Sequence, residues 1–259
     1  MNTEKIKNYS IYNEKMKKSL LDKIFFIDKI EATQIVDFGC ADGTLIHFMH
    51  SLFPENIYIG YDLDEEMLKK AREKFDKNDE NVIFTSDWEE VERLAMANKN
   101  TALILSSVIH EVYSYGSEDD IKELWKNIFA RWFDYVIIRD MAPNLSIDRE
   151  SDINDYKNIL AKAKTWQIKE FEHVWGSLEQ NKNLVHFLLK YDYVENWNRE
   201  VRENYIPLLR EELLRKIPDK YNIDFHEHFT LPYIKNKVKN DFNIELKDKT
   251  HIKLILRRN

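Results

Sequence analysis

Short β-rich runs alternate with amphipathic helical patterns through the first half of this 259-residue chain. The β-rich runs are Gln34–Phe38, Asn56–Tyr61, Val82–Thr85, Ala102–Ser106 and Tyr135–Arg139, and the helical patterns between them are Leu45–Leu52, Glu65–Asp76, Trp88–Asn98 and Ser117–Trp132. Alternation of this kind builds βαβ units, in which the strands are parallel and helices cover both faces of the sheet. The pattern predicts an α/β fold of the doubly wound type.

The alternation breaks after the fifth strand and resumes near the end of the chain. Residues 146–217 have helical patterns rich in charged and aromatic side chains, and a strand, a helix and a last strand follow at Asn222–Thr230, Leu231–Asn240 and His251–Leu256. We therefore expect a mostly parallel, seven-stranded sheet with a helical insertion before the last two strands. The predicted single domain, 1–259, comprises an N-terminal helical cap (1–30), a sheet core (31–145 and 218–259) and an insertion (146–217) that forms a substrate lid.

The composition excludes several classes of protein. Hydrophobic residues make up 43% of the chain, which excludes a wholly disordered protein. A single cysteine excludes a disulfide scaffold and any metal site built from several cysteines. Purely apolar runs are only a few residues long, so the chain is expected to be a cytoplasmic protein without a membrane segment. The net charge of −7 argues against avid nucleic-acid binding.

The turn after the first strand carries the strongest functional signal. Of the five glycines in the chain, Gly39 and Gly43 lie in this turn and Gly60 lies in the next strand. Glycine lets the backbone approach a ligand closely, and the start of the following helix directs free amides towards it. The pattern favours ligand binding, and the alternative is an ordinary strand–helix turn capped by Asp42.

Two further strands end in acidic residues. Asp62 ends the second strand, about twenty residues beyond the glycine turn, where a carboxylate can accept hydrogen bonds from both hydroxyls of an adenosine ribose. Asp64 is placed to cap the next helix, which leaves Asp62 available to a ligand. Asp87 follows the third strand, where it would accept a hydrogen bond from an adenine amino group beside Trp88 or act only as a helix cap.

Taken together, these motifs resemble those of the class I S-adenosylmethionine-dependent methyltransferases. The matching residues are Asp37-Phe38-Gly39-Cys40-Ala41-Asp42-Gly43, Gly60-Tyr61-Asp62 with Glu66-Met67-Leu68, and Ser86-Asp87. The resemblance covers residues 30–145 and, more loosely, 222–256, and it departs from the family in having Ala41 at the middle glycine. It implies a Rossmann-like fold, an enzyme of the methyltransferase class (EC 2.1.1 type), and S-adenosyl-L-methionine as methyl donor with S-adenosyl-L-homocysteine as product.

The resemblance also implies which residues bind the cofactor. The glycine loop would hold the methionine part, Asp62 the ribose, Asp87 and Trp88 the adenine, and the backbone near Ser106 the amino group. The full expected set is Asp37, Gly39, Cys40, Ala41, Gly43, Asp62, Asp87, Trp88 and Ser106.

Polar residues after the fourth strand are the catalytic candidates, because the resembling fold places this position opposite the methyl group. His110 or Glu111 would take a proton from the attacking hydroxyl or amine. The alternatives are that His110 mainly packs the turn, and that orientation of nucleophile and methyl group is sufficient without a base. Asp140 ends the fifth strand and is expected to cap a helix or pair with Arg139, and the alternative is that it reaches the pocket.

The insertion is expected to contribute packing and surface. Its aromatic residues and histidine, His186, Tyr191, Tyr193 and Trp197, have spacings that favour helix core over an acceptor site. Glu200, Arg202 and Glu203 have the pattern of a solvated helix face. His226 and His228 share one face of a strand but lack a third ligand, so no metal site is assigned.

The expected acceptor is an oxygen, nitrogen or carbon nucleophile of a small molecule. RNA or another macromolecule is the alternative, because residues 199–259 carry 14 Lys or Arg against 10 Asp or Glu. A second alternative is a catalytically silent cofactor-binding or scaffold protein. The oligomeric state stays open.

Overall fold

The computed structural model describes residues 20–97, 100–130, 132–191 and 203–259. Seven strands form one sheet in the order β3-β2-β1-β4-β5-β7-β6, with β1 Gln34–Phe38, β2 Ile57–Tyr61, β3 Val82–Thr85, β4 Thr101–Ser106, β5 Tyr135–Met141, β6 Tyr221–Phe229 and β7 His251–Arg258. Strand β7 runs antiparallel to both of its neighbours, and the other pairs are parallel. This architecture confirms the predicted mostly parallel, seven-stranded α/β fold.

Helices connect the strands and precede β7. They are α1 Thr44–Leu52, α2 Glu65–Arg72, α3 Trp88–Ala97, α4 Ile109–Tyr115, α5 Glu118–Ile128, α6 Ile153–Lys162, α7 Thr165–Trp175, α8 Asn181–Lys190, α9 Arg210–Arg215 and α10 Pro232–Phe242. The sequence patterns did not predict α4, a short helix that starts three residues after β4. Among the described residues, no helix is long and apolar enough to cross a membrane.

The sheet is buried on both faces, as the continuous apolar runs of its central strands require. Alternate strand residues face opposite sides, so Val36 and Leu103 pack in one core while Ile35 and Ile104 pack in the other. Strand order reverses between β1 and β4, which are neighbours although β2 and β3 separate them in sequence. In open α/β sheets a ligand crevice forms at the carboxyl ends of strands at such a switch point.

The segment between β5 and β6 builds a separate apolar cluster together with α10. Phe171 and Phe187 of the insertion pack in this cluster with Phe242 of α10, and all three are buried. His186 and Tyr191 are buried as well, which confirms the prediction that they belong to the packed interior. Tyr193, Trp197, Glu200 and Arg202 lie outside the described residues, as do residues 1–19 of the predicted cap. The predicted division of the chain into cap, core and lid stays a prediction.

Residues just before β1 are tied to the sheet by charge. One carboxylate oxygen of Asp22 accepts from the Nε of Arg139 at 2.8 Å, and the other pairs with the Nζ of Lys253 at 2.5 Å. Burial opposes ionisation of Asp22, but the two cations outweigh it and hold its pKa below the usual value. Arg139 and Lys253 are register partners on β5 and β7, so this one carboxylate links the N-terminal segment to two strands.

We expect Asp22→Asn to lower the free energy of unfolding by about 3 kcal/mol, because it leaves two largely buried cations without their shared anion. Urea unfolding followed by tryptophan fluorescence measures the change. Asp28→Asn is the matched control, since Asp28 pairs with Lys29 on the surface and its loss should not shift the midpoint. Equal midpoints for the two variants would contradict the proposed anchoring role of Asp22.

Candidate functional site

In the glycine loop, Gly39–Gly43 at the carboxyl end of β1, every second residue has a left-handed backbone conformation. Gly39, Ala41 and Gly43 have φ angles of 75°, 47° and 69°. The amides of Gly39 and Cys40 both donate to the carbonyl of Tyr61, at 2.8 and 3.0 Å, which folds the loop over the end of β2. Ala41 accepts a left-handed conformation that costs a residue with a Cβ about 1 kcal/mol, so the fold tolerates the missing glycine.

Close packing explains why two glycines are needed here. A Cβ at Gly39 would lie 2.8 Å from the Cγ2 of Val108, just before α4. A Cβ at Gly60 would lie 2.4 Å from the Phe84 ring and 2.9 Å from the sulfur of Cys40. Any side chain at either position would therefore displace the loop from the neighbouring strands.

Asp62 joins the glycine loop to the end of β2. Its Oδ2 accepts from the Ala41 amide at 2.8 Å and its Oδ1 accepts from the Asp64 amide at 2.9 Å. Burial raises the pKa of this carboxyl, and these hydrogen bonds oppose the rise. Each oxygen keeps a second lone pair for a ligand donor. Asp64 caps α2 by accepting from the amides of Glu66 and Met67, which confirms the predicted cap.

Asp37 in β1 and Cys40 in the loop are both almost fully buried. Burial raises the pKa of Asp37 to about 7, against the attraction of the buried Lys23 ammonium. Burial also raises the pKa of the Cys40 thiol well above its ordinary value, so this residue is an unreactive part of the packing. Asp42 accepts from the Thr44 amide at 3.2 Å and pairs with Lys74 at 2.7 Å, just before Gly43, the N-cap residue of α1.

The adenine candidates have structural partners of their own. Asp87 is exposed and accepts from the amide of Glu89 at 2.9 Å, which makes it a cap of α3. The Trp88 ring packs edge-on against Phe38 and Tyr61, and its indole N–H donates to Glu92 at 3.1 Å. Contact of either side chain with adenine stays a prediction.

Ser106 ends β4 with a polar group that the fold leaves unsatisfied. Its hydroxyl oxygen is buried and has no hydrogen-bond partner among the described residues. An unpaired buried hydroxyl is costly, and a polar ligand at the switch point would remove that cost. The loop amides, the Asp62 carboxylate and this hydroxyl therefore fit a ligand that carries an amino acid and a ribose.

His110 lies in the first turn of α4 and is held by Asp140 at the end of β5. Its Nδ1 is 2.8 Å from the Asp140 Oδ1. The same carboxylate accepts from the amides of Ile109 at 2.7 Å and Met141 at 2.8 Å. The prediction that Asp140 pairs with Arg139 is wrong, because Arg139 points to the other face of the sheet, where it contacts Asp22 and Ser107.

Glu203 reaches the same place from the insertion, 146–217. Its Oε1 lies 3.4 Å from the Nε2 of His110, and its side chain is only 18% exposed. The prediction of a solvated helix face at Glu203 is therefore wrong. Its backbone is fixed by two hydrogen bonds: the buried Lys190 ammonium donates to the Glu203 carbonyl at 2.6 Å, and the Asn204 amide donates to the Ser114 hydroxyl at 2.7 Å. The sequence near Glu203 does not predict this contact, because it joins residues that are far apart in the chain.

Glu111 completes a cluster with His110 and Glu203. One nitrogen of His110 and one carboxylate oxygen from each glutamate lie within 4.8 Å of one another. The Glu111 carboxylate is half-buried and forms no hydrogen bond with the part of the chain that the structure describes. Burial raises its pKa to about 7, although the His110 charge opposes the rise. Burial would lower the pKa of His110, but Asp140 and Glu203 outweigh it and raise the pKa to about 10.

Known proteins share both the family motifs and the fold. Residues 36–132 match the family described as methyltransferase domain. The fold is similar to the methyltransferase domain of bacterial CtHen1-C, with 12% identity, 94% of this chain and 98% of that chain covered, and a TM-score of 0.50. It is also similar to a SAM-dependent methyltransferase from Archaeoglobus fulgidus, with 13% identity, 96% and 99% coverage, and a TM-score of 0.50.

No curated protein sequence matches the chain. At these low identities the solved structures show the fold alone, and the family comes from the matched domain together with the loop and strand-end residues described above. Residues 36–132 therefore form a methyltransferase domain, and S-adenosylmethionine is its cofactor.

Proposed function

We propose that this enzyme methylates a nucleophile of a small molecule. The observation that carries the proposal is the cluster of carboxylates beyond β4, where Glu111, Asp140 and Glu203 surround His110. Glu203 and the Tyr205 ring, which lies edge-on to His110 with centroids 5.4 Å apart, wall the cluster from the insertion side. An acidic site favours a small neutral or cationic acceptor and disfavours a polyanion such as RNA.

The loop residues supply the cofactor site in this proposal. Amides of the Gly39–Gly43 loop and the Ser106 hydroxyl would hold the methionine part, and Asp62 would bind the ribose hydroxyls. Bound S-adenosylmethionine supplies a methyl group on a positively charged sulfur, which makes the methyl carbon open to attack. Asp37 would remain beneath the loop as a structural support, because its side chain is only 3% exposed.

Glu111 is the group best placed to accept the proton that the acceptor loses. Its carboxylate is half-buried, lies beside His110 and has no hydrogen bond with the described residues that would occupy it. Both nitrogens of His110 already face carboxylates, which favours a positioning role for His110 over proton abstraction. We therefore propose that Glu111 accepts the proton from the acceptor. His110 and Asp140 would hold the first turn of α4 in position.

Transfer of a labelled methyl group from S-adenosylmethionine tests the proposal. Pools of small alcohols, phenols and amines should be labelled, whereas bulk RNA should not. Label that enters RNA and no small molecule would contradict the proposal, and its absence from every acceptor would favour the catalytically silent alternative.

Glu111→Gln should reduce the methylation rate at least about 100-fold, as expected when a general base is removed. Its affinity for S-adenosylmethionine, measured by calorimetry, should remain within about twofold of the original. Glu118→Gln is the matched control, because this exposed residue in the first turn of α5 lies outside the carboxylate cluster. A Glu111→Gln enzyme of normal rate would remove Glu111 from the proposed mechanism.

A further inference from the structure

We propose that His110, Glu111 and Glu203 bind a divalent cation beside the methyl-transfer site. The three side chains offer one imidazole nitrogen and two carboxylate oxygens, all within 4.8 Å of one another. Imidazole and carboxylate are the ligands of mixed nitrogen–oxygen metal sites, including catalytic zinc centres with three protein ligands and one open position.

The His110 ring is already oriented as a metal ligand would be. Its Nδ1 faces the Asp140 Oδ1 at 2.8 Å, so Nδ1 keeps its proton, and a cation that displaces the Nε2 proton would meet a lone pair directed at the cluster. A histidine that binds a metal characteristically donates its other N–H to a carboxylate or carbonyl group, which fixes its tautomer. Asp140 is itself fixed by the amides of Ile109 and Met141, so the ring has little freedom to turn.

The spacing between His110 and Glu203 fits two ligands of one ion. Nε2 and Oε1 are 3.4 Å apart, which is long for a direct hydrogen bond between charged groups. Two ligands that each bind an ion at about 2.1 Å with tetrahedral angles are separated by about 3.4 Å. The distance therefore fits two ligands of one cation as well as it fits a direct ion pair.

Charge in this region also favours a cation. Three carboxylates, from Glu111, Asp140 and Glu203, converge on one imidazole. Two buried ammoniums offset part of this charge: Lys23 interacts with Glu111 and Asp140 but is shared with Asp37, and Lys190 interacts with Glu203. Carboxylates remain in excess, and the Glu111 carboxylate has no hydrogen bond of its own among the described residues.

The cation would also define the acceptor, and this step rests on the proposed function. An open coordination position would bind an acceptor hydroxyl and make its proton easier to remove. The proton would pass to the Glu111 oxygen that is not on the cation. The acceptor oxygen then forms its bond to the methyl carbon, and the carbon–sulfur bond breaks with its electron pair kept by sulfur. We infer that the acceptor is a hydroxyl compound.

Titration of Mn²⁺ into the metal-free full chain, followed by electron paramagnetic resonance, tests the site. We expect one Mn²⁺ per chain, displaced by Zn²⁺. Glu203→Gln and Glu111→Gln should each weaken Mn²⁺ binding at least about tenfold, since each removes a charged ligand. Glu123→Gln is the matched control, because that carboxylate pairs with Lys126 on the surface of α5, and it should leave Mn²⁺ binding unchanged.

Binding of S-adenosylmethionine, measured on the same samples, shows whether each variant is folded. The cation site is overturned if the folded original chain binds neither Mn²⁺ nor Zn²⁺ saturably, or if both site variants keep their Mn²⁺ affinity. Methylation of a small acceptor that continues undiminished in excess EDTA would overturn the catalytic role of the cation and leave the proposed function standing. Mn²⁺ binding by a chain that labels only RNA would overturn the proposed function and support the site.

Discussion

Asp62→Ala should abolish measurable binding of S-adenosylmethionine, with a loss of affinity of at least about 100-fold. Hydrogen bonds to a charged acceptor are worth about 1.5–3 kcal/mol each, and this carboxylate would accept two from the ribose. The substitution also removes the acceptor for the Ala41 and Asp64 amides, so the loop loses its link to the end of β2. Calorimetric titration of S-adenosylmethionine and S-adenosylhomocysteine measures the effect.

Asp64→Ala is the matched control for this experiment. Asp64 lies two residues away and caps α2, so its loss weakens the helix by about 1 kcal/mol but leaves the Asp62 carboxylate in place. We expect that variant to bind the cofactor within about threefold of the original affinity. Equal affinities for Asp62→Ala and the original protein would exclude the proposed ribose contact.

Asp140→Asn is expected to lower the free energy of unfolding by about 3 kcal/mol. Every partner of the Asp140 carboxylate is a donor: the His110 ring and the amides of Ile109 and Met141. An asparagine amide would turn an N–H group towards one of these donors and leave a buried group unsatisfied. Urea unfolding and labelled methyl transfer should both reveal the defect, because the start of α4 and the His110 ring lose their support.

Asp134→Asn tests whether this effect depends on the site. Asp134 precedes the opposite end of β5 and accepts one hydrogen bond, from the Thr101 amide at 3.1 Å. An asparagine oxygen can replace that acceptor, so we expect a change below about 1 kcal/mol. A similar loss of unfolding free energy in both variants would show that the hydrogen bonds of Asp140 do not stabilise the fold more than that of Asp134.

Much of the sheet and of the cofactor loop was predictable because it depends on local pattern. Alternating apolar strands and amphipathic helices located all seven strands to within about two residues. Gly39, Gly43 and Asp62 were recognisable because only one helix and one strand, α1 and β2, lie between the glycine turn and Asp62, so their spacing along the chain is short and regular. Helix α4 was missed, since Val112, Tyr113 and Tyr115 are residues more typical of strands.

The partners of the catalytic candidates were not predictable in the same way. Asp140 was expected to cap a helix or to pair with its neighbour Arg139, but adjacent strand residues point to opposite faces of the sheet, and Asp140 contacts His110 instead of Arg139. Glu203 was assigned to the surface, although a contact between residues 93 positions apart places it against the imidazole.

The sequence by itself determined the class of fold, the position of the switch point and the cofactor loop, because hydrophobic periodicity and glycine turns act over a few residues. Only the tertiary structure decided which acids surround His110. The insertion brings Glu203 back over the carboxyl end of β4, and the sheet places Asp140 beside α4. The burial and charge around His110 depend on contacts between distant segments, and local hydrophobic periodicity cannot predict such contacts.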